Sequence, residues 1–163
     1  MPTKRYYLRK SIVRKLVGEL EEKFGPPAGS LLTNPVEVIE LGRNIQVFVC
    51  GGTPVAFRSP EGIFPTLFSV ASLPMKRVTV DMGAVRAVSR GADIMGPGVV
   101  GADEGISRGD VVVIVDEQHG KHLALGLTLA DSSLLKGTRG RVIKNLHHVG
   151  DKIWSIYVTL GKG

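Results

Sequence analysis

The residues with the most chemistry to offer are few. The four histidines are His119, His122, His147 and His148, and the single thiol is Cys50. His119 and His122 stand three apart in EQHGKH, just after Asp116 and Glu117. That spacing with two nearby carboxylates is the raw material of a metal site. The pair could hold a metal only with further ligands: Cys50 is distant in sequence, and Asp116 and Glu117 offer a weak surface site as the minority alternative. No metal centre is therefore expected. His147 and His148 close an alternating run and point to opposite faces of a strand, so one packs and the other faces solvent. No serine nucleophile elbow, no HExxH and no GxxxxGK[ST] loop occurs. GPGVVG at residues 96–101 fits G-x-G-x-x-G, but no helix is predicted after it. The expectation is a chain that is not an enzyme and carries no cofactor.

What remains is the chemistry of phosphate recognition. The formal net charge is +6, which favours polyanionic partners. The segment SRGADIMGPGVV, residues 89–100, holds Gly91, Gly96 and Gly98 around Met95 and Pro97. Glycine lacks a side chain, so its main-chain N–H can approach a phosphate or a base edge. The same residues serve equally as a helix end at Gly91 and a corner in a barrel strand at residues 96–98. The run LLKGTRGRVIKN carries Lys136, Arg139, Arg141 and Lys144 with no acid between them. These four either bind phosphates or form a solvated basic turn. Near the start, Lys4, Arg5, Arg9, Lys10, Arg14 and Lys15 surround Tyr6 and Tyr7. Cations interleaved with aromatics suit single-stranded nucleic acid. The favoured reading of this cluster is plainer: a strand and a helix start, with tyrosines in the core and cations in water.

These groups must be positioned by short elements. In KSIVRKLVGELEEKFG, residues Ile12, Leu16, Leu20 and Phe24 recur every four positions, joined by Val13 and Val17, and predict an amphipathic helix. Ser11 is its expected N-cap, Glu19 and Lys23 an i,i+4 pair, and Gly25, Pro26 and Pro27 its end. VEVIEL, IQVFVC and VAFR read as strands, the last two joined by a turn at residues 51–54. FPTLFSVASLP reads as a short buried helix with Pro65 in its first turn. Further on, RVTVD, ADIMGPGVV, DVVVIVDE, HLALGLTLA, GRVIKNLHHV and IWSIYVTL read as strands, and GAVRAVSRG as one or two helical turns. Asp81 and Asp93 read as caps or turn-makers, with a base-edge contact by Asp93 as the alternative. Trp154 belongs to the last strand and to barrel packing. Cys50 lies in an apolar run and is expected to be buried. A lone cysteine, no apolar run of about 20 residues and no signal-like start predict a cytoplasmic protein without a membrane partner.

The ordered series Asp81, Gly83 and Ala84, then residues 91–95, Pro97 and Gly98, then Gly109-Asp110, Gly126 and Gly140 resembles a PUA domain, an RNA-binding module. With FRSPEGIFPTLFSV before it and KNLHHVGDKIW after it, the chain is similar to an archaeal version of the malignant T-cell-amplified-sequence family of translation proteins. The resemblance implies an α+β architecture: a small N-terminal α/β domain over residues 1–75, then a PUA-type β-barrel with a short helix over residues 76–163. It implies non-catalytic binding of structured rRNA or tRNA, at the small ribosomal subunit with a partner translation factor. Other jobs remain open: an adaptor in ribosome biogenesis or RNA modification, or a protein-interaction scaffold. In PUA domains the first helix, its glycine loop and the adjoining strand face RNA. Here that surface is Arg86, Arg90, Gly91, Ala92, Asp93, Met95, Gly96, Pro97 and Gly98, with Lys136, Arg139, Arg141 and Lys144 beside it. The resemblance also places His147 in a recurring N-x-H pattern, which implies packing.

Overall fold

A computed structural model of the chain describes residues 4–161, which fall into two compact units. The first holds the residues up to Pro74 together with those from Lys152 onward, and the second runs over Met75–Asp151. The C-terminal segment expected in the barrel thus belongs to the first unit.

The first unit is built on a five-stranded antiparallel meander in sequence order: β1 (Arg5–Tyr7), β2 (Glu37–Leu41), β3 (Ile45–Cys50), β4 (Thr53–Ser59) and β5 (Gly62–Pro65). The β3–β4 hairpin closes through Gly51 and Gly52, both at positive φ (58° and 79°), between the paired residues Cys50 and Thr53. Two consecutive left-handed residues make the turn whose twist matches the strands, and glycine reaches them without a Cβ clash. Helix α1 (Lys10–Phe24) buries Val13, Leu16 and Leu20, whereas Ile12 stays 38% exposed. The buried stripe therefore follows the expected one except at Ile12. Arg9, not Ser11, is the N-cap, and no side chain caps the helix. Glu19 pairs across to Arg58 at 2.8 Å rather than to Lys23, whose ammonium lies 4.6 Å from the centre of the Phe64 ring. Cys50 is buried, and desolvation pushes its thiol upward in pKa.

Two expectations fail in this unit. FPTLFSVASLP is no helix. Residues through Pro65 form the edge strand β5, where a missing N–H is tolerated, and only Val70–Ser72 make a 3-10 turn. IWSIYVTL is no strand but α3 (Lys152–Thr159), burying Ile153 and Ile156 at helical spacing. Trp154 and Tyr157 flank Phe68, with ring centroids 4.4 and 4.3 Å away. Trp154 thus packs in the first unit and not in the barrel. β-Branched and aromatic residues raise strand propensity, yet the burial period across residues 153–160 decided the outcome.

The second unit holds six strands: β6 (Arg77–Val80), β7 (Ile94–Met95), β8 (Val99–Ala102), β9 (Val111–Asp116), β10 (His122–Thr128) and β11 (Arg141–His148). Their spatial order is β7-β11-β10-β9-β6-β8. The outermost members, β7 and β8, are consecutive in the chain, joined only by the 3-10 turn Gly96–Gly98. Four residue steps span at most about 14 Å. The two edges of a flat six-stranded sheet would lie about 24 Å apart. The sheet must therefore curl until its edges meet, which makes a barrel. Its interior is the aliphatic set Val78, Val80, Ile94, Val112, Ile114 and Ile143, with Val88 of α2 (Met82–Val88) packed on it. Gly126 keeps the interior close: a Cβ there would overlap the Ile143 side chain. His147 is buried, with Nδ1 2.8 Å from Asp151, and His148 is half-buried.

Candidate nucleic-acid interface

One corner of the barrel gathers most of the residues singled out for RNA. It is assembled by close main-chain approach and by a small polar network. Asp81 caps α2, accepting the Ala84 N–H at 2.8 Å. This orients a short helix whose inner side is Ala84, Val85 and Val88 and whose outer side carries Met82 and Arg86; Arg90 follows in the turn after it, and all three are exposed. The chain then passes through residues 91–93 into β7. Asn145 of β11 donates its side-chain amide to the carbonyls of Val88 and Ala92, at 3.2 and 3.0 Å. Asp93 takes the Asn145 main-chain N–H on one oxygen (2.8 Å) and Arg141 on the other (3.0 Å). Met95 lies directly opposite Arg141 across the β7–β11 ladder and is 50% exposed.

Gly91, Gly96 and Gly98 pack against the chain itself. Gly96 is buried; its N–H donates to Gly140 and its carbonyl accepts from Gly137, at 3.0 and 2.8 Å. A Cβ at Gly96 would overlap the Thr138 carbonyl oxygen. A Cβ at Gly98 would lie 2.9 Å from the Ala84 Cβ, and the Gly98 carbonyl accepts the Asp81 N–H. Gly91 donates its N–H to Val88. Gly96 therefore does not lie open to RNA as expected, whereas Gly91 and Gly98 are half-buried and give one main-chain group each to the chain itself. These residues let the chain's own segments close up, so that residues 96–98 bridge α2 on one side and the basic turn 136–140 on the other. Between them Pro97 stays exposed.

What the corner presents is therefore side chains. Arg86, Arg90, Lys136 and Arg139 are exposed and have no ion-pair partner among the described residues. Arg141 is exposed but tied to Asp93, and Lys144 is half-buried on β11. Ala92, Met95 and Pro97 add exposed apolar surface among these cations. Sequence reasoning missed Asn145, whose amide ties strand to helix. Only its place in an N-x-H pattern hinted at it.

The other candidate clusters resolve into structure. Asp116 holds the 116–121 turn by accepting the N–H groups of Gln118, His119 and Lys121, and these bonds, that from His119 foremost, keep its pKa below the usual carboxylate range. Among the described residues no three His, Cys, Asp or Glu side chains converge on a metal position. In the N-terminal cluster, β1 and the start of α1 form as expected, but Tyr6 and Tyr7 are 37% and 67% exposed rather than in the core. No described helix is long and apolar enough to cross a membrane.

Comparison with known proteins follows the same division. Residues 76–149 match the PUA domain model. An uncharacterised Methanocaldococcus jannaschii protein is 39% identical over 155 residues, covering 93% of this chain and 96% of its own. Translation machinery-associated protein 20 of Saccharomyces cerevisiae is 33% identical over 132 residues, covering 76% and 73%. A crystal structure of a Pyrococcus horikoshii protein superposes with a TM-score of 0.78 at 33% identity, over 94% of this chain and 99% of that one. The chain belongs to the PUA-domain family of translation machinery-associated protein 20 and the malignant T-cell-amplified sequence proteins.

Proposed function

We propose that this protein binds structured rRNA or tRNA without catalysing a reaction on it, and does so in translation at the small ribosomal subunit, with a partner factor. The observation that carries the reading is the corner itself. Four cations without an ion-pair partner among the described residues stand on α2 with the turn after it and on the basic turn, which residues 96–98 lock together, with Met95 and Pro97 exposed among them. A rigid array of cations at fixed spacing suits a folded RNA, which is read largely through its shape, phosphates and 2′-hydroxyls. Arg86, Arg90, Lys136 and Arg139 contact phosphates, and Arg141 and Lys144 extend the positive strip along β11. Ala92, Met95 and Pro97 lie against sugar or base faces. Asp93, Gly91, Gly96 and Gly98 shape this surface from behind. The names of the relatives support the setting in translation, and the absence of a convergent nucleophile–base pair among the sequence motifs supports a binding role. Sedimentation of the full chain with purified small ribosomal subunits tests the proposal. Salt-sensitive co-migration is expected; co-migration with neither the subunit nor tRNA at about 50 mM salt would refute it.

A further inference from the structure

The first unit has an unfilled sheet edge. β1 is the terminal strand of the meander, and β2 is its only neighbour among the described residues. Leu8 donates its N–H to Val36, and the Lys4 carbonyl accepts from Glu40, so Lys4, Tyr6 and Leu8 turn their main-chain groups toward β2. Alternation then directs the N–H and C=O of Arg5 and Tyr7 away from the sheet, with no main-chain partner among the described residues. Beside this edge lies a trough of about 320 Å³ between β1, β2 and α3. Its floor is aliphatic: Ile39 and Leu41 from the sheet, Ile156 and Leu160 from the helix. Its rim is cationic, with Arg5 on one side and Lys152 on the other, and no carboxylate of the described residues lines it. Lys152 has no ion-pair partner among the described residues, and Arg5 is held by Glu37 at 2.9 Å with half of its side chain still exposed. Lys4, Arg9 and Lys10 add exposed positive charge at the two ends of β1.

We propose that this edge takes an extended, acidic segment of a partner protein as a sixth strand. Main-chain hydrogen bonds form to Arg5 and Tyr7. Alternate aliphatic side chains enter the trough, and carboxylates meet Lys152 and Arg5. Strand addition of this kind draws affinity from the main chain and specificity from the side-chain pockets beside it. The two open N–H groups sit at strand spacing over an aliphatic floor, which fits a polypeptide; a nucleic acid offers phosphates to the cations but nothing to the floor. A three-residue strand flanked by lysine and arginine is also a guarded edge, unattractive to basic or neutral strands, so the charge selects for acid.

The test uses the full chain against a phage-displayed random dodecapeptide library, with synthetic versions of the enriched sequences measured by fluorescence polarisation and by amide NMR. Enriched peptides should carry aliphatic and acidic residues together at every second position, the face turned to the trough, and the Arg5 and Tyr7 amides should shift and become protected from exchange. Lys152→Glu and Thr159→Glu change exposed side chains, and thermal melts check that both variants remain folded. Each should weaken the peptide about tenfold or more, the first through loss of a charged contact and the second by setting a carboxylate against those of the peptide. No enrichment, peptides without acids, amide shifts elsewhere, or binding unchanged in both variants would overturn the proposal. Displacement of the peptide by decauridine would overturn it in favour of RNA.

Discussion

Reversing two charges on the basic turn gives the sharpest test of the RNA-binding corner. Lys136→Glu with Arg139→Glu alters exposed side chains that make no hydrogen bond or ion pair among the described residues, so the fold should persist. The cations of the corner free to meet phosphates are Arg86, Arg90, Lys136 and Arg139. At roughly 0.7–0.9 counterions released per contact, four contacts make log K fall with log salt at a slope of about −3.2, or about 80-fold between 50 and 200 mM. Losing two contacts halves the slope to about −1.6 and lowers affinity by about 40-fold at 100 mM salt, before any repulsion from the new carboxylates. Filter binding of a tRNA transcript across a salt series measures both numbers. Lys10→Glu with Arg14→Glu makes the same change in net charge on α1 and should leave the slope near its original value. An unchanged slope in the first variant, or equal losses in both, would refute a local phosphate site and leave only overall charge.

Three more outcomes follow from the same geometry. Asp93→Asn keeps an acceptor for the Asn145 N–H but releases Arg141, so RNA affinity should hold or rise and the salt slope should steepen by about 0.8; a loss of affinity would mean that Asp93 itself reads the RNA. Gly96→Ala forces a methyl against the Thr138 main chain, which the Gly137–Gly96 hydrogen bond holds in place, and should cost about 1–3 kcal/mol in urea unfolding; an unchanged midpoint would show the turn to be free to move. Asp116→Asn should destabilise the protein at neutral pH. Because the folded-state pKa of Asp116 is depressed, its contribution is complete above about pH 4 and fades as pH falls through the lower folded value. The gap in melting temperature between the parent and this variant should therefore close in acid, and a constant gap would exclude the carboxylate as its cause.

Much of the fold was legible in the residues. Period-four apolar spacing announced α1, the Gly51-Gly52 pair announced a hairpin, and Asp81 announced the cap of the helix after it. Each is a local signal, set by backbone sterics or by one side chain reaching three residues on. The failures have a common source. Residues 153–160 and 64–74 are apolar and rich in β-branched or aromatic types, and such runs fit either a helix or a strand until a partner surface selects the face to bury. For α3 that surface includes Phe68, some ninety positions away, and no local rule reaches it.

The candidate site divides along the same line. Its basic residues, its glycines and its place in the chain were visible in the sequence alone, because charge and the lack of a Cβ belong to single residues. The direction in which those glycines face was not. Whether Gly96 leaves its N–H open or gives it to Gly140 depends on where the turn at residues 136–140 returns, and closure of the barrel decides that. Tertiary structure likewise tied Arg141 to Asp93 and left Arg86, Arg90, Lys136 and Arg139 free. Composition sets how much charge a chain carries; only packing sets which charges remain for a partner.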